Sequence, residues 1–228
     1  MLFDWYLEIG CRGGETFALS GSPTLAVDPY FRVEHNVIRN KPALHIFQTT
    51  SDTFFDSPFL ERNAIKLGFA FLDGMHLIEY LLRDFRNTER NSDPGGVIAV
   101  HDCCPWNVPI TTRDLDSLRD GVAWTGDVWK LLPILQRYRP DLKITVLDAN
   151  PSGLVMVSNL DPDNTVLFDR YDEILASYEQ PLDKYGLQKF ANSFDYVSSE
   201  AYVMADFPDF HKIARPIDLA LKPAMVTP

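Results

Sequence analysis

Residues 6–14 read Tyr-Leu-Glu-Ile-Gly-Cys-Arg-Gly-Gly (YLEIGCRGG). The short apolar run Trp5–Ile9 ends abruptly in glycine, the pattern of a buried strand that turns into a helix. Glycine at such a turn lets the backbone approach a ligand closely, because no Cβ intervenes. Thr24–Val27 repeats the pattern as a second strand and ends at Asp28-Pro29, where proline forces the chain out of a central strand. Between the two, Glu15–Ser20 leaves room for a short helix, closed by Gly21-Ser22-Pro23.

Downstream the alternation continues. The polar stretch 30–42 admits a helix around Val33–Arg39, and Ala43–Gln48 reads as a third strand. Phe54–Phe59 is too aromatic to lie free in solvent and suits a short packed helix or loop. Lys66–Leu72 (KLGFAFL) is a buried strand closed by Asp73-Gly74, and Leu77, Tyr80, Leu81 and Phe85 then recur at helical spacing. Asp93–Gly96 reads as a turn and Val97–Val100 as a fifth strand, ending at His101-Asp102. A polar loop spans 105–120, and an amphipathic helix Asp127–Tyr138 follows. Lys143–Leu147 and Gly153–Val157 have no helix between them, so they pair antiparallel. A helix is expected over Thr165–Tyr178, and no element is assigned over 180–228. Strand–helix alternation argues for an α/β fold with a parallel sheet covered on both faces. Without a repeat or a linker, a single domain is preferred.

Bulk properties narrow the function. The 228 residues suffice for one α/β domain with a substantial core. A formal net charge of −11 disfavours nucleic acid or an anionic membrane as the main partner. Three cysteines, two of them adjacent (Cys103 and Cys104), make neither a disulfide framework nor a zinc motif. No basic-then-apolar leader and no long apolar run is present, so the expectation is a cytoplasmic chain without membrane contact.

Chemistry concentrates at the strand ends. Asp28 can accept both hydroxyl hydrogens of a ribose, as an acidic residue does in dinucleotide folds; an aspartate before proline also simply initiates turns. The loop lacks a full GxGxxG, and Glu8 would repel a pyrophosphate. A carboxylate there suits a ligand with a cationic amino-acid end, so S-adenosylmethionine is favoured over a nicotinamide cofactor. Asp73, His76, His101 and Asp102 fall at the ends of two central strands, the edge where open α/β sheets bind ligands. Two carboxylates and an imidazole can hold a hard ion such as Mg²⁺, and His76 can remove a hydroxyl proton. A helix cap at Asp73 and a hydrogen-bonded loop start at His101-Asp102 are the purely structural alternatives. Trp124 and Trp129, near a helix start, could line an acceptor pocket but read first as packing residues, with Lys130 kept only as a candidate substrate contact.

Taken together, EIGCRGG, VDPYF, FAFLDGMH and PGGVIAVHDC, over Tyr6–Asn159, resemble the class I S-adenosylmethionine-dependent methyltransferases. The Asp-Gly-x-His step is similar to the metal-dependent sugar O-methyltransferases of the macrocin and mycinamicin type. That resemblance implies a Rossmann-like, doubly wound, mostly parallel seven-stranded sheet with an antiparallel last strand. The core would span 1–160, with 161–228 an extension packed on the same domain. Glu8, Gly10, Arg12, Gly14 and Asp28 would contact the cofactor, with Ser51 and Asp52 near the adenine. Asp73, His101 and Asp102 would hold the metal, and His76 would be the base. His101 stands where the family carries a second acidic residue, and the family's helices before the first strand have no counterpart. The expected activity is O-methylation of a hydroxyl on a sugar or small natural product, in a chain able to form homo-oligomers. A non-catalytic S-adenosylmethionine-binding or assembly module is the alternative.

Overall fold

The parallel strands end level with one another, and this decides where the site is. The computed structural model describes residues 1–118 and 123–215. Its strands are β1 (Tyr6–Ile9), β2 (Thr24–Val27), β3 (Leu44–Phe47), β4 (Leu67–Leu72), β5 (Ser92–His101), β6 (Lys143–Leu147), β7 (Leu154–Ser158) and β8 (Tyr196–Val197). They form one mixed sheet in the order β3-β2-β1-β4-β5-β7-β6-β8. β7 runs antiparallel to both neighbours, and the other pairings are parallel. The fold is Rossmann-like α/β, as expected, with two-residue β8 added beside β6 as an eighth strand. In register, Ile9 faces Val27 and Leu72, Val27 faces Phe47, and Leu72 faces Val100. Gly10, Asp28, Asp73 and His101 therefore leave the sheet along one edge.

Period-2 alternation sends successive strand residues to opposite faces. Leu7, Ile9, Leu25, Val27, Ile98 and Val100 join the larger core. The helices α1 (Ser51–Asp56), α2 (Phe59–Arg62), α3 (Ile78–Arg90) and α4 (Leu131–Tyr138) contribute Phe54, Leu60, Phe85 and Leu135 to it. From the chain after 160, α5 (Val166–Asp169), α6 (Tyr171–Ser177), α7 (Leu182–Tyr185) and α8 (Leu187–Ala191) bury Leu167, Ile174, Leu182 and Phe190 in that same cluster. Tyr6, Ala26, Val97, Ala99 and Met156 face the other way. Phe17, Ala18 and Val37 cover that side near β1 and β2, while Tyr202 of α9 (Ser199–Met204) and Phe210 cover it near β5 and β7.

Several local expectations are corrected. The helix after the glycine loop is a single 3₁₀ turn, Phe17–Leu19, because Gly21-Ser22-Pro23 stops it after one turn. Residues 30–42 form no helix; Asn36 Oδ1 accepts the Ile38 and Arg39 N–H groups and holds a turn instead. The Asp93–Gly96 turn lies inside β5, opposite a register shift in β4. The helix expected over 165–178 is divided into α5 and α6 at Arg170. The 105–120 loop contains two 3₁₀ turns, Pro109–Thr111 and Leu115–Ser117, and residues 119–120 of it lie outside the described residues, as does 216–228 of the extension. Among the described residues no helix is long and apolar enough to cross a membrane.

Candidate functional site

Glycine is required at position 10. Its φ is +87°, and a Cβ there would stand 1.9 Å from the Asp73 carbonyl oxygen. The turn after β1 thus presses directly on the turn after β4. Gly14 also has a positive φ, +85°, and a Cβ would meet the Phe17 ring and Val37 at 2.9 Å. Arg12 N–H donates to Asp28 Oδ2 (2.8 Å) and Tyr30 N–H to Asp28 Oδ1 (2.6 Å), so Asp28 ties the glycine loop to the end of β2. The turn-forming role is real, yet each carboxylate oxygen keeps a lone pair free for a ligand.

These turns enclose a cavity of about 620 Å³ lined by Gly10, Arg12, Asp28, Ser51, Asp52, Asp73 and His76, with Tyr80 and Trp124 on its rim. Ser51 and Asp52 open α1, whose N-cap Thr50 accepts the Thr53 N–H. Asp52 is also held by Arg83 through two bonds of 2.7 and 2.8 Å, which lower its pKa. Gly14 lines neither this cavity nor its neighbour and acts through the loop conformation.

The neighbouring cavity, about 390 Å³, shares Gly10, Arg12 and Asp73 and adds Glu8, Glu15, Arg32, Glu34 and His35. Glu8 and Tyr6 are two apart on β1 and so share a face; Tyr6 Oη donates to Glu8 Oε2 at 2.6 Å. Burial drives the Glu8 carboxyl up to about 8 despite that bond. A buried carboxyl so reluctant to ionise is suited to a cationic ligand. Sequence reasoning missed Arg32 and His35 as lining residues, since nothing in the polar stretch 30–42 announced that it would wall a cavity.

At the ends of β4 and β5 four side chains converge. His76 Nε2 and His101 Nδ1 each stand 3.2 Å from Asp73 Oδ1. His76 Nδ1 lies 3.4 Å from Asp102 Oδ2, and His101 Nδ1 lies 3.4 Å from Asp102 Oδ1. Ligating atoms of Asp73, His76 and Asp102 all fall within 4.8 Å of one another, a spacing that can hold a metal ion. Asp102 adopts a positive φ, 59°, and its Oδ1 accepts the Ser152 hydroxyl. Burial lowers the pKa of His76, but its bond to Asp73 and the charges of Asp102 and Asp73 outweigh this and raise it. Bonds to Asp102 and Asp73 push His101 up to about 10. Burial of Asp73 is likewise overcome by the two imidazoles, and its pKa falls.

Trp124 does more than pack. Its carbonyl lies 3.0 Å from His76 Nδ1, its indole lies 5.2 Å from the imidazole ring, and its Nε1–H donates to the Thr112 carbonyl. Gly126 (φ +55°) lets this strap close down, since a Cβ there would be 1.7 Å from the His76 carbonyl oxygen. Trp129 is fully buried. Lys130 is 2% exposed and bound to Asp127 at 2.8 Å; it lines neither of these cavities but a third, of about 520 Å³, with Ile78, Glu79 and Arg113. Asp127 also caps α3 by accepting the Ile78 N–H and receives Arg113 at 2.7 Å. Among the described residues none after 160 lines either cavity; Tyr171 accepts from Arg83 and donates to the Glu79 carbonyl.

No family model matches the sequence, and no curated protein matches it. Among solved structures, the chain is similar to an O-methyltransferase from Bacillus cereus in complex with SAH, at 16% identity and a TM-score of 0.48, over 68% of this chain and 73% of that one. It is similar to the O-methyltransferase TomG from Streptomyces achromogenes in complex with SAM, at 16% identity and a TM-score of 0.47, over the same shares. It is also similar to the MycE methyltransferase of the mycinamycin biosynthetic pathway, in complex with Mg, SAH and mycinamycin VI, at 17% identity and a TM-score of 0.42. That match covers 71% of this chain and 46% of MycE.

Proposed function

We propose that this chain is an S-adenosylmethionine-dependent O-methyltransferase acting on a hydroxyl of a sugar or small natural product, with help from a divalent cation. One observation carries the reading. The level strand ends deliver the Gly10 loop, Asp28 and the Asp73–His76 pair to one cavity of about 620 Å³ that opens beside Glu8.

The residues fit such a cofactor. Asp28 offers its free lone pairs to ribose hydroxyls, and Ser51 and Asp52 border the adenine position. Glu8, driven up to about 8 by burial, gains a counter-charge when an ammonium group enters, while Arg12 and Arg32 can receive a carboxylate. When bound, the cofactor would supply a methyl group on a sulfonium, and Asp73, His101 and Asp102 would hold a cation able to polarise the acceptor hydroxyl. His76 would then take the hydroxyl proton at an imidazole nitrogen. The Trp124 carbonyl fixes the His76 ring, so positioning supplies a large part of the rate.

Calorimetric titration with S-adenosylmethionine and its demethylated product, with and without Mg²⁺ and chelator, tests the proposal. Saturable 1:1 binding that Asp28→Ala weakens is expected. Absence of binding to either nucleoside refutes it.

A further inference from the structure

The third cavity, of about 520 Å³, is separated from the 620 Å³ cavity by the first turn of α3: Ile78 and Glu79 line the former, His76 and Tyr80 the latter. Its volume is that of a small-molecule site. Another wall comes from α6 and the turn after it, with Asp172, Leu175 and Ala176 at helical spacing, then Tyr178 and Glu179.

Lys130 is the buried polar group of this cavity. It closes the 3₁₀ turn Val128–Lys130, is 2% exposed, and donates to Asp127 Oδ2 at 2.8 Å. An ammonium carries three donors, and among the described residues Lys130 makes that hydrogen bond alone. The Trp129 ring, 6.0 Å away, offers a π-face but no lone pair. A desolvated donor left without an acceptor costs free energy that a ligand oxygen would recover. Arg113, by contrast, is spent: Nη1 meets Asp127 Oδ2 at 2.7 Å, and the guanidinium holds both Glu79 oxygens at 2.7 and 3.0 Å. Asp172 and Glu179 are exposed and form no ion pair among the described residues.

Two cations against four carboxylates make this region net acidic, which disfavours an anion. A metal ion is disfavoured too, because an ammonium stands in the lining and, among the described residues, only Asp73, His76 and Asp102 are spaced to share one. The chemistry left is a ligand with oxygens for Lys130 and a cationic group for Asp172 or Glu179. Its carbon skeleton would lie against Ile78, Leu175 and the Tyr178 ring, whose hydroxyl is tied to the Pro133 carbonyl at 3.1 Å. From this we infer that the cavity is a second small-molecule site, for a hydroxylated primary amine the size of an amino sugar. The inference is independent of the cofactor and of methyl transfer.

Titration of the full chain with glucosamine, glucose and glucuronate tests it, below neutral pH and followed by two-dimensional amide NMR. The three share a ring and differ in charge. Glucosamine is expected to bind about fivefold more tightly than glucose, the upper end for an exposed ion pair, and glucuronate more weakly than either. Amide shifts should centre on Ile78, Lys130 and Ala176 rather than on Gly10 and Gly74. Asp172→Asn combined with Glu179→Gln should erase the preference for glucosamine and leave glucose binding intact. Ala176→Trp, which fills the cavity from an exposed helix position, should abolish binding of both. No binding of glucosamine, equal affinity for glucosamine and glucose, tightest binding by glucuronate, shifts centred on Gly10, or binding that survives Ala176→Trp overturns the inference. A chain that binds glucosamine here but not S-adenosylmethionine keeps this inference and loses the methyl-transfer reading.

Discussion

Asp84 should make this protein less stable above neutral pH than in mild acid. It lies on the inner face of α3, is 2% exposed, and its Oδ1 has no hydrogen-bond partner. Burial pushes its carboxyl from 3.8 up to about 7; Asp52 adds to the effect, and Ser51 and Arg83 oppose it. Below pH 4 the folded and unfolded chains both hold the proton, and the residue costs nothing. Between pH 4 and 7 the unfolded chain releases it while the folded chain keeps it, so stability falls as pH rises. Each tenfold change in proton affinity is about 1.4 kcal/mol, so the loss levels off above pH 7 at about 4 kcal/mol. Asp84→Asn removes the titration; whatever its amide costs in hydrogen bonding is the same at every pH. Glu8 titrates in the same direction but is present in both proteins, so it cancels from their difference. Urea denaturation of both chains at several values from pH 4.5 to 8 reads the effect. The variant should gain about 3–4 kcal/mol relative to wild type across that range. A difference that stays constant with pH would refute the buried-carboxyl argument.

Other expectations follow from the site. Gly10→Ala combines a positive-φ penalty with overpacking against the Asp73 backbone, so it should lose about 2–5 kcal/mol in a thermal or urea melt and bind nucleosides poorly. His76→Ala should cut turnover by about a hundredfold to ten-thousandfold while leaving S-adenosylmethionine affinity, measured by calorimetry, close to wild type. Lys130→Met removes one of the two cations on buried Asp127, which keeps Arg113 and the Ile78 N–H, and should destabilise the chain by about 1.5–3 kcal/mol in urea, with KM for the acceptor unchanged.

Much of the site was legible because strand ends are easy to see in sequence. Glu8, Asp28, Asp73 and Asp102 each follow or close a run of apolar residues, and parallel strands of similar length put such positions on one edge. The residues that were missed act through distant chain segments. Arg32 and His35 sit in a stretch with no periodicity, and Ser152 reaches Asp102 only because β7 folds back beside β5. Trp124 was read as packing, since nothing local indicates that its carbonyl meets a histidine 48 residues earlier.

The local pattern alone therefore settled the α/β class, the strands of the parallel sheet and the chemistry offered at their ends, because alternation and glycine turns are encoded within a few residues. Tertiary structure decided the rest. It turned an expected helix into one 3₁₀ turn, packed Leu167, Ile174, Leu182 and Phe190 into the larger core and Tyr202 and Phe210 onto the other face of the sheet, buried Lys130 as an ion-pair partner and placed the His101 nitrogen near two carboxylates. These outcomes depend on which segments meet in space, and contact energies between residues dozens of positions apart leave no periodic trace in the chain.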